Sequence, residues 1–328
     1  MAYDVAGDIR LDPRLKAILA GIPVRPAGDV DSRETLLAEA NSQAARQRAE
    51  LLRSFMDLCD TEDAAPSAGL RVYSEKVVSE PDGNTINLQV IRPDHDEAVA
   101  CVYYIHGGGM ATMSCYDGAH RGWGKIIAAN GVAVVMVDFR NSVVPSSVPE
   151  VAPFPAGLND CVSGLKWVAA NARHLSIDPA RVIVAGESGG GNLALATGLK
   201  LKQDGELGLI KGLYAMCPYI AGQWPTPECL PLRKTTGSCW TCITTAALSG
   251  TGSRPSPSAT RWPGRPSRLR PTFRSSRPRS SVSTSAIRCA MRASISTGSC
   301  CGPGFRPGAG RSWAQCTAPR SSPLPAPR

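Results

Sequence analysis

Two glycine-rich strings in this chain contain residue types that suit acyl transfer. One of them, at residues 186–190, reads G-E-S-G-G and matches the G-x-S-x-G pattern, in which a serine occupies a sharp turn between a strand and a helix. Glycines beside the serine remove the side chains that would collide in so tight a turn. The pattern therefore makes Ser188 the candidate nucleophile for attack on a carbonyl carbon.

The other string, at residues 106–109, reads H-G-G-G. Its glycines leave backbone N–H groups uncovered, and such groups can donate hydrogen bonds to the oxyanion that forms when a nucleophile attacks a carbonyl. We assign the N–H groups of Gly108 and Gly109, together with that of Gly189 after the serine, to a candidate oxyanion hole. A lone G-x-S-x-G is a weak signal, whereas the two strings in this chain order together indicate an acyl-transfer site.

Regular elements must hold both strings in place. The apolar runs at residues 100–105 and 181–185 directly precede the strings and predict strands, and residues 192–201 predict the helix that follows the serine. Strands alternate with helices here, which predicts an α/β fold with a mostly parallel sheet flanked by helices. The other predicted elements are a helical stretch at residues 29–58, strands at 70–78, 84–91, 132–137 and 212–217, and helices at 121–129 and 156–172.

Three further segments extend the pattern to a known family. Residues 137–140 read V-D-F-R, residues 154–160 begin F-P-A and end in Asp, and residues 178–181 read D-P-A-R. Together with the glycine-rich strings, they resemble the hormone-sensitive-lipase family of α/β-hydrolases, which includes bacterial carboxylesterases of small esters. The resemblance covers about residues 1–230. At residues 142–145 the chain has S-V-V-P in place of the family's L-A-P-E, which leaves the shape of that loop open.

The resemblance implies a mechanism and a domain plan. In this fold a serine attacks the ester carbonyl, a histidine takes the serine's proton, and an acid orients the histidine; the three follow in the order Ser, Asp, His. It implies that His106 and Gly107 support the shape of the oxyanion loop and that His106 is not the base. Residues 1–60 would form part of a helical cap, and residues 61–228 would form the hydrolase core.

The chain changes character after residue 228. Residues 229–328 contain no Asp, Glu or His but sixteen Arg and Lys, so the overall charge of +9 divides into −7 before this point and +16 after it. Their Pro, Arg and Ser content shows no sustained helical or strand period, and such a segment cannot bury enough apolar surface to offset its ordering entropy. We therefore expect residues 229–328 to be disordered.

Three explanations for this segment are open. A nucleic-acid-binding arm would use the arginines as phosphate partners, and a disordered linker would need no further role. The third explanation is a shift of reading frame near residues 229–233. Back-translated and read from the third base, residues 284–297 permit a sequence like the family's D-P-L-x-D-E motif, which carries the catalytic Asp. In the same frame, residues 313–323 permit a sequence like the family's catalytic-histidine loop, and we favour the frameshift for that reason.

The chain as written contains no histidine after Ser188. The four histidines all precede the serine, and His120 is the first candidate for a recruited base, although we expect it to be structural. Without a base the serine is a weak nucleophile, so the chain as written should be a crippled esterase. The alternatives are a non-catalytic hydrolase scaffold that binds a small apolar ligand and a product with no function.

The remaining composition indicates an intracellular globular enzyme. The N-terminus lacks the basic-then-apolar pattern of a secretory signal, and no apolar run has membrane-spanning length. Six cysteines before residue 230 stand singly in apolar segments, as reduced core residues do. We expect a cytoplasmic enzyme that needs no cofactor or metal, has no nucleic-acid partner or membrane span, and acts on a small-molecule ester.

Overall fold

A computed structural model describes residues 9, 11–14, 16 and 30–219. The segment at residues 229–328, with its expected disorder and change of reading frame, lies outside the described residues. Within the described ranges the strands are β1 (Leu70–Val78), β2 (Thr85–Pro93), β3 (Val99–Ile105), β4 (Ala133–Asp138), β5 (Ile177–Glu187) and β6 (Gly212–Met216). The helices are α1 (Arg33–Ala40), α2 (Gln43–Asp57), α3 (Gly118–Ala128), α4 (Ala156–Ala170) and α5 (Gly189–Gln203), with 3₁₀ turns at Leu58–Asp60 and Leu207–Leu209.

The six strands form one mixed sheet in the order β1-β2-β4-β3-β5-β6. β1, β2 and β4 pair antiparallel, whereas β4, β3, β5 and β6 pair parallel. Parallel neighbours need crossover connections, and α3, α4 and α5 supply them in turn. The prediction of a mostly parallel sheet flanked by helices is therefore confirmed.

The two faces of the sheet are covered by different helices. On one face Leu88, Tyr103 and Val184 pack with Leu165 of α4 and Leu193 of α5. On the other face the core contains residues of β2, β3, β4 and β5 together with Ala128 of α3. β4 is buried at every position because it lies inside the sheet and is covered on both sides.

The N-terminal helical stretch is not continuous, contrary to the prediction for residues 29–58. It divides into α1 and α2 at Asn41 and Ser42. The Ser42 hydroxyl accepts a hydrogen bond from the Ala45 N–H at 3.2 Å, so it caps a new helix and does not continue the old one. The apolar stripe therefore breaks, and Leu51 and Phe55 of α2 are exposed.

The expectation for the cysteines is correct in part. Cys101, Cys115 and Cys161 are buried thiols, and burial raises the pKa of Cys101 to about 12. Cys59 and Cys217 are exposed, because Cys59 lies in the 3₁₀ turn after α2 and Cys217 lies beyond the end of β6. Within the described residues, no helix combines the length and apolar character that crossing a membrane requires.

A buried carboxylate joins the N-terminal part of α4 to the loops that follow β1 and β4. Asp160 is fully buried; its Oδ2 accepts hydrogen bonds from the Arg140 backbone N–H and Nε, both at 2.9 Å. Its Oδ1 accepts one from the Ser79 hydroxyl at 2.6 Å. Arg140 follows β4 and Ser79 follows β1, so one charged group fixes two loops against α4. Such buried pairs cost much to break, since one partner would be left without its counter-charge.

Asp160→Ala should lower the free energy of unfolding by about 3 kcal/mol, because the variant leaves Arg140 buried with one carboxylate fewer. Urea unfolding followed by circular dichroism measures the change. The matched control is Asp204→Ala, which removes a partly exposed carboxylate beside Lys200. The control should cost less than about 1 kcal/mol. Equal losses in the two variants would contradict a special role for Asp160.

Candidate active site

Ser188 occupies the turn between β5 and α5. β5 ends at Glu187, α5 begins at Gly189, and Ser188 has φ 54° and ψ −116°. A positive φ is costly for a residue with a side chain and persists only where the surroundings fix it. The Ser188 N–H donates to the Met216 carbonyl at 3.0 Å, and its carbonyl accepts from the Asn192 N–H at 3.1 Å. The strand, turn and helix around the serine match those that the G-x-S-x-G pattern predicts.

The glycines of this turn are required by close packing on the end of β3. A Cβ on Gly190 would lie 2.0 Å from the Ile105 carbonyl oxygen and 2.5 Å from that of His106. Gly186 is similarly restricted, since its Cβ would lie 2.3 Å from the Gly190 carbonyl oxygen. The serine turn therefore packs backbone against backbone on the point where the H-G-G-G loop begins.

The structure brings the predicted oxyanion-hole glycines into one region. Gly108 and Gly109 have φ of 98° and 65°, and a Cβ on Gly108 would lie 2.2 Å from the Thr112 carbonyl oxygen. A Cβ on Gly189 would lie 2.8 Å from the Gly109 nitrogen and 2.7 Å from that of Met110. Met110 is thus as close to the serine turn as Gly109, although no glycine marks it in the sequence.

The loop at residues 142–145, where the chain departs from the family pattern, supports this region. The Ser142 N–H donates to the Met110 carbonyl at 2.9 Å. The N–H groups of Val143 and Val144 both donate to the Ala111 carbonyl, at 3.2 and 2.8 Å. The backbone of residues 142–145 therefore stabilises the turn at Met110 and Ala111 that follows the glycines.

His106 is fully buried beneath the glycine loop and contacts the loop backbone. Its Nδ1 lies 2.8 Å from the Gly107 carbonyl oxygen, and its ring stacks on Phe139 with centroids 4.4 Å apart. Its Nε2 has no hydrogen-bond partner and lies 3.8 Å from Asp138 Oδ1. Burial, followed by the nearby charge of His120, lowers the pKa of His106 to about 4. The ring is therefore neutral at pH 7 and donates to the loop carbonyl.

Asp138 is a supporting residue whose role sequence reasoning missed. It is fully buried at the end of β4, and its Oδ1 accepts from the Ser114 hydroxyl at 2.7 Å and the Cys115 N–H at 3.0 Å. Its Oδ2 accepts from the Ser147 N–H at 2.7 Å. The V-D-F-R segment pointed to this position without indicating what it holds. Asp138 joins the loop after β3 to the loop after β4.

His120 lies near the Ser188 turn, and its two ring nitrogens lie close to Ser114 and Glu187. Its Nδ1 lies 2.8 Å from the Ser114 carbonyl oxygen, and its Nε2 lies 3.7 Å from Glu187 Oε1. The pKa of Glu187 is lowered, first by its interaction with His120. In the part of the chain that the structure describes, no histidine hydrogen-bonds the Ser188 hydroxyl. The same part contains no cluster of His, Cys, Asp and Glu that could hold a metal ion.

A mostly apolar cleft borders the first turns of α5. Met110 lines it next to the glycine loop, and Asn192 lines it within the helix that Ser188 begins. The Ser142 hydroxyl in this wall is buried without a hydrogen-bond partner. The other lining residues are Arg140, Ala152, Phe154, Gly157, Leu158, Leu193 and Ala196. The walls of this cleft are mainly hydrocarbon.

Several known proteins that this chain resembles are esterases. A family model for the α/β-hydrolase fold matches residues 102–249. The solved structure of esterase Est22 superposes with a TM-score of 0.73 at 55% identity, covering 76% of this chain and 73% of that one. A structure of Est22 with p-nitrophenol matches similarly, with a TM-score of 0.71. The structure described as brefeldin A esterase, a bacterial homologue of human hormone-sensitive lipase, gives a TM-score of 0.58 at 31% identity, covering 74% of this chain and 68% of that one.

Among curated sequences, carboxylesterase NlhH of Mycobacterium tuberculosis is 32% identical over 188 residues, which are 56% of this chain and 50% of that protein. The fold and the serine turn define an α/β-hydrolase. The chain belongs to the hormone-sensitive-lipase family of these proteins. It spans about half the length of the curated carboxylesterases that it matches.

The lowered pKa of His106 predicts a loss of stability in acid. An unfolded histidine takes up a proton below about pH 6.5, whereas folded His106 does so only near pH 4. The free energy of unfolding should therefore fall as the pH decreases from 6.5 towards 4, by roughly 2 kcal/mol between pH 7 and pH 5. Above pH 6.5 this histidine is neutral in both states and has no such effect.

Urea unfolding of the parent chain and of His106→Asn, at pH 7 and pH 5, measures this contribution. Asparagine can still donate to the Gly107 carbonyl but does not titrate, so the fall in stability should be smaller in the variant by roughly 2 kcal/mol. His174→Asn removes an exposed histidine paired with Glu75 and should leave the fall in place. An unchanged fall in His106→Asn would show that His106 is not its source.

Proposed function

We propose that this chain carries the site of a serine carboxylesterase that hydrolyses small carboxylic esters through an acyl-enzyme intermediate. Ser188 is the nucleophile, and the N–H groups of Gly108, Gly109 and Gly189 form the oxyanion hole. The observation that carries the proposal is the contact between the strained Ser188 turn and the glycine loop, with Gly189 against the Gly109 nitrogen. The family's named esterases support the same chemistry.

The reaction needs two displacements at the ester carbonyl. The Ser188 oxygen attacks the carbonyl carbon and gives its proton to a base, and the alcohol leaves with a proton from that base. Water then attacks the acyl-serine, and the carboxylic acid is released. Each tetrahedral intermediate places a negative charge on the former carbonyl oxygen, and loss of one backbone or side-chain donor at such an oxygen costs about 100- to 1000-fold in kcat.

The base and its orienting acid follow the serine in this family's order. We propose that both are encoded in the shifted frame, with the acid in the codons of Ala286 and Ile287 and the histidine in those of Cys316 and Thr317. These positions lie outside the described residues. Support comes from the composition of residues 229–328 and from the family-like segments that the shifted frame permits.

A second candidate is a hydrolase scaffold without catalysis. It is favoured by the contacts of His120, whose two ring nitrogens lie against the Ser114 carbonyl and Glu187 while Ser188 has no histidine partner within residues 30–219. In this case the cleft beside α5 would bind a small apolar ligand that is not turned over. Nucleotide sequence around codon 230 separates the two, since an uninterrupted frame favours the scaffold.

Ser188→Ala should abolish hydrolysis of p-nitrophenyl acetate and butyrate in the frame-restored chain, because the attacking oxygen is lost. The chain as written should be nearly inert towards the same esters, since it lacks a base after the serine. The absorbance of the released p-nitrophenol measures the rate of ester hydrolysis in each case. Ser54→Ala, on an exposed face of α2, is the control and should keep the full rate.

Two outcomes would contradict this account. Retention of more than a few per cent of the rate in frame-restored Ser188→Ala would point to another nucleophile. Equal, Ser188-dependent activity in the chain as written would mean that a base is recruited from the N-terminal part, with His120 the first residue to replace.

Gly108→Ala should reduce kcat of the frame-restored chain by about 100-fold or more, because the new Cβ would meet the Thr112 carbonyl and displace an oxyanion donor. Gly131→Ala is the matched control, since Gly131 has a similar positive φ of 82° with nothing within 4 Å of the Cβ position. The control should cost about 1 kcal/mol of stability but no activity. If both folded variants kept the parent kcat, the oxyanion assignment would be wrong.

A further inference from the structure

We propose that Glu187 is a positioning residue that fixes the H-G-G-G loop against the Ser188 turn, through contacts with Gly107 and His120. We call Glu187, Gly107 and His120 the Glu187 bridge. The inference rests on the proposed function, because it treats this loop as the oxyanion loop. It assigns a role to the residue that precedes the nucleophile and to the first glycine of the loop.

The Glu187 carboxylate lies against Gly107. A Cβ on Gly107 would lie 1.9 Å from Glu187 Oε1, 2.6 Å from Cδ and 2.9 Å from Oε2. The carboxylate therefore occupies the space that any side chain at position 107 would need. Unlike Gly108 and Gly109, Gly107 does not have a positive φ. Glycine at position 107 therefore leaves room for the Glu187 carboxylate, and no positive φ calls for glycine there.

Gly107 is held from two sides. The His106 ring donates to the Gly107 carbonyl at 2.8 Å, and the Glu187 carboxylate lies against the same residue. The pKa of Glu187 is lowered, first by its interaction with His120 and to a smaller extent by the Gly107 backbone. Glu187 is thus an ionised carboxylate at neutral pH, and its bonds to N–H donors are stronger than those of a neutral acceptor. The peptide before the oxyanion glycines is fixed by one residue of the loop and one residue of the serine strand.

His120 connects Glu187 to the segment that follows the glycine loop. His120 is buried, with Nε2 3.7 Å from Glu187 Oε1 and Nδ1 2.8 Å from the Ser114 carbonyl oxygen. His106 and Asp138 lie behind the same residues, with the His106 and His120 ring centroids 5.3 Å apart. The Glu187 side chain therefore lies against the first glycine of the loop and, through His120 of α3, against the segment at Ser114 that follows the loop.

Loss of the Glu187 bridge should affect the stabilisation of the transition state more than the binding of the substrate. Glu187 directly precedes Ser188, so its contacts set the distance between the attacking oxygen and the loop's N–H donors. Displacements of about 1 Å in such a site can cost about 100-fold in rate. Because the oxyanion exists only after attack, loss of the bridge should lower kcat and leave KM nearly unchanged.

Hydrogen–deuterium exchange of the full chain tests the bridge without requiring catalysis. In Glu187→Ala the amides of residues 106–112 should exchange about tenfold faster than in the parent, since local opening becomes easier. Glu187→Gln keeps the volume and one acceptor oxygen and should show a smaller increase. The matched control is Glu75→Gln, whose carboxylate pairs with exposed His174 at 3.0 Å, and it should leave exchange at residues 106–112 unchanged.

Parent-like exchange at residues 106–112 in both Glu187 variants would overturn the proposal. So would a uniform increase over the whole sheet in both variants, since that would indicate general destabilisation. If Glu187→Ala does not fold, Glu187→Gln decides between these outcomes.

A kinetic measurement on the frame-restored chain adds a readout that a merely structural role would not move. Glu187→Ala should lower kcat for p-nitrophenyl butyrate by about 10- to 100-fold with KM within about twofold of the parent, and Glu187→Gln should recover part of the loss. A raised KM with unchanged kcat would overturn the positioning role. If Ser188→Ala keeps the full rate, the proposed function fails, whereas the exchange experiment still decides whether the bridge holds the loop.

Discussion

The backbone contact between the Ser188 turn and the end of β3 constrains the rest of this structure. β3 and β5 are parallel neighbours, so their carboxyl ends meet at one edge of the sheet. Gly190 approaches the Ile105 and His106 carbonyls too closely for any side chain, and Gly189 does the same at the Gly109 nitrogen. This contact depends on the sheet order, on the crossover helices and on the glycines of both strings. The Ser188 turn and the backbone of the glycine loop can lie together only because no side chain separates them.

Buried charges hold the loops around this contact. Asp138 joins the segment after β3 to the one after β4, and Asp160 joins Arg140 to α4 and to the β1–β2 turn. These carboxylates accept several hydrogen bonds each, which offsets the free energy of removing a charge from water. Loops built in this way keep one shape, and a site that stabilises a transition state depends on such fixed donors. The Glu187 carboxylate likewise lies between loops, with Gly107 on one side and His120 on the other.

The described part of the chain contains only some of the groups that the proposed esterase needs. It has the serine and the glycine loop, but its buried histidines are directed to carbonyls and carboxylates and not to the Ser188 hydroxyl. The pKa of His106, lowered to about 4, suits a structural donor better than a proton acceptor that works at pH 7. In the proposed esterase, the base and the acid that follow Ser188 come from the shifted reading frame after residue 228.

The sequence alone determined the parts that local patterns encode. Glycine spacing identified the Ser188 turn and the H-G-G-G loop, and apolar runs predicted β1 with its correct bounds and the mostly parallel sheet. Local periodicity overextended the N-terminal helix, because one serine cap decides where a helix begins. Only the tertiary structure showed that Glu187 fills the space beside Gly107, that Asp138 joins two loops, and that Met110 lies as near the serine turn as Gly109. These contacts join residues that are distant in the chain, and close packing between such residues follows from how the strands pair and not from any pattern within a single segment.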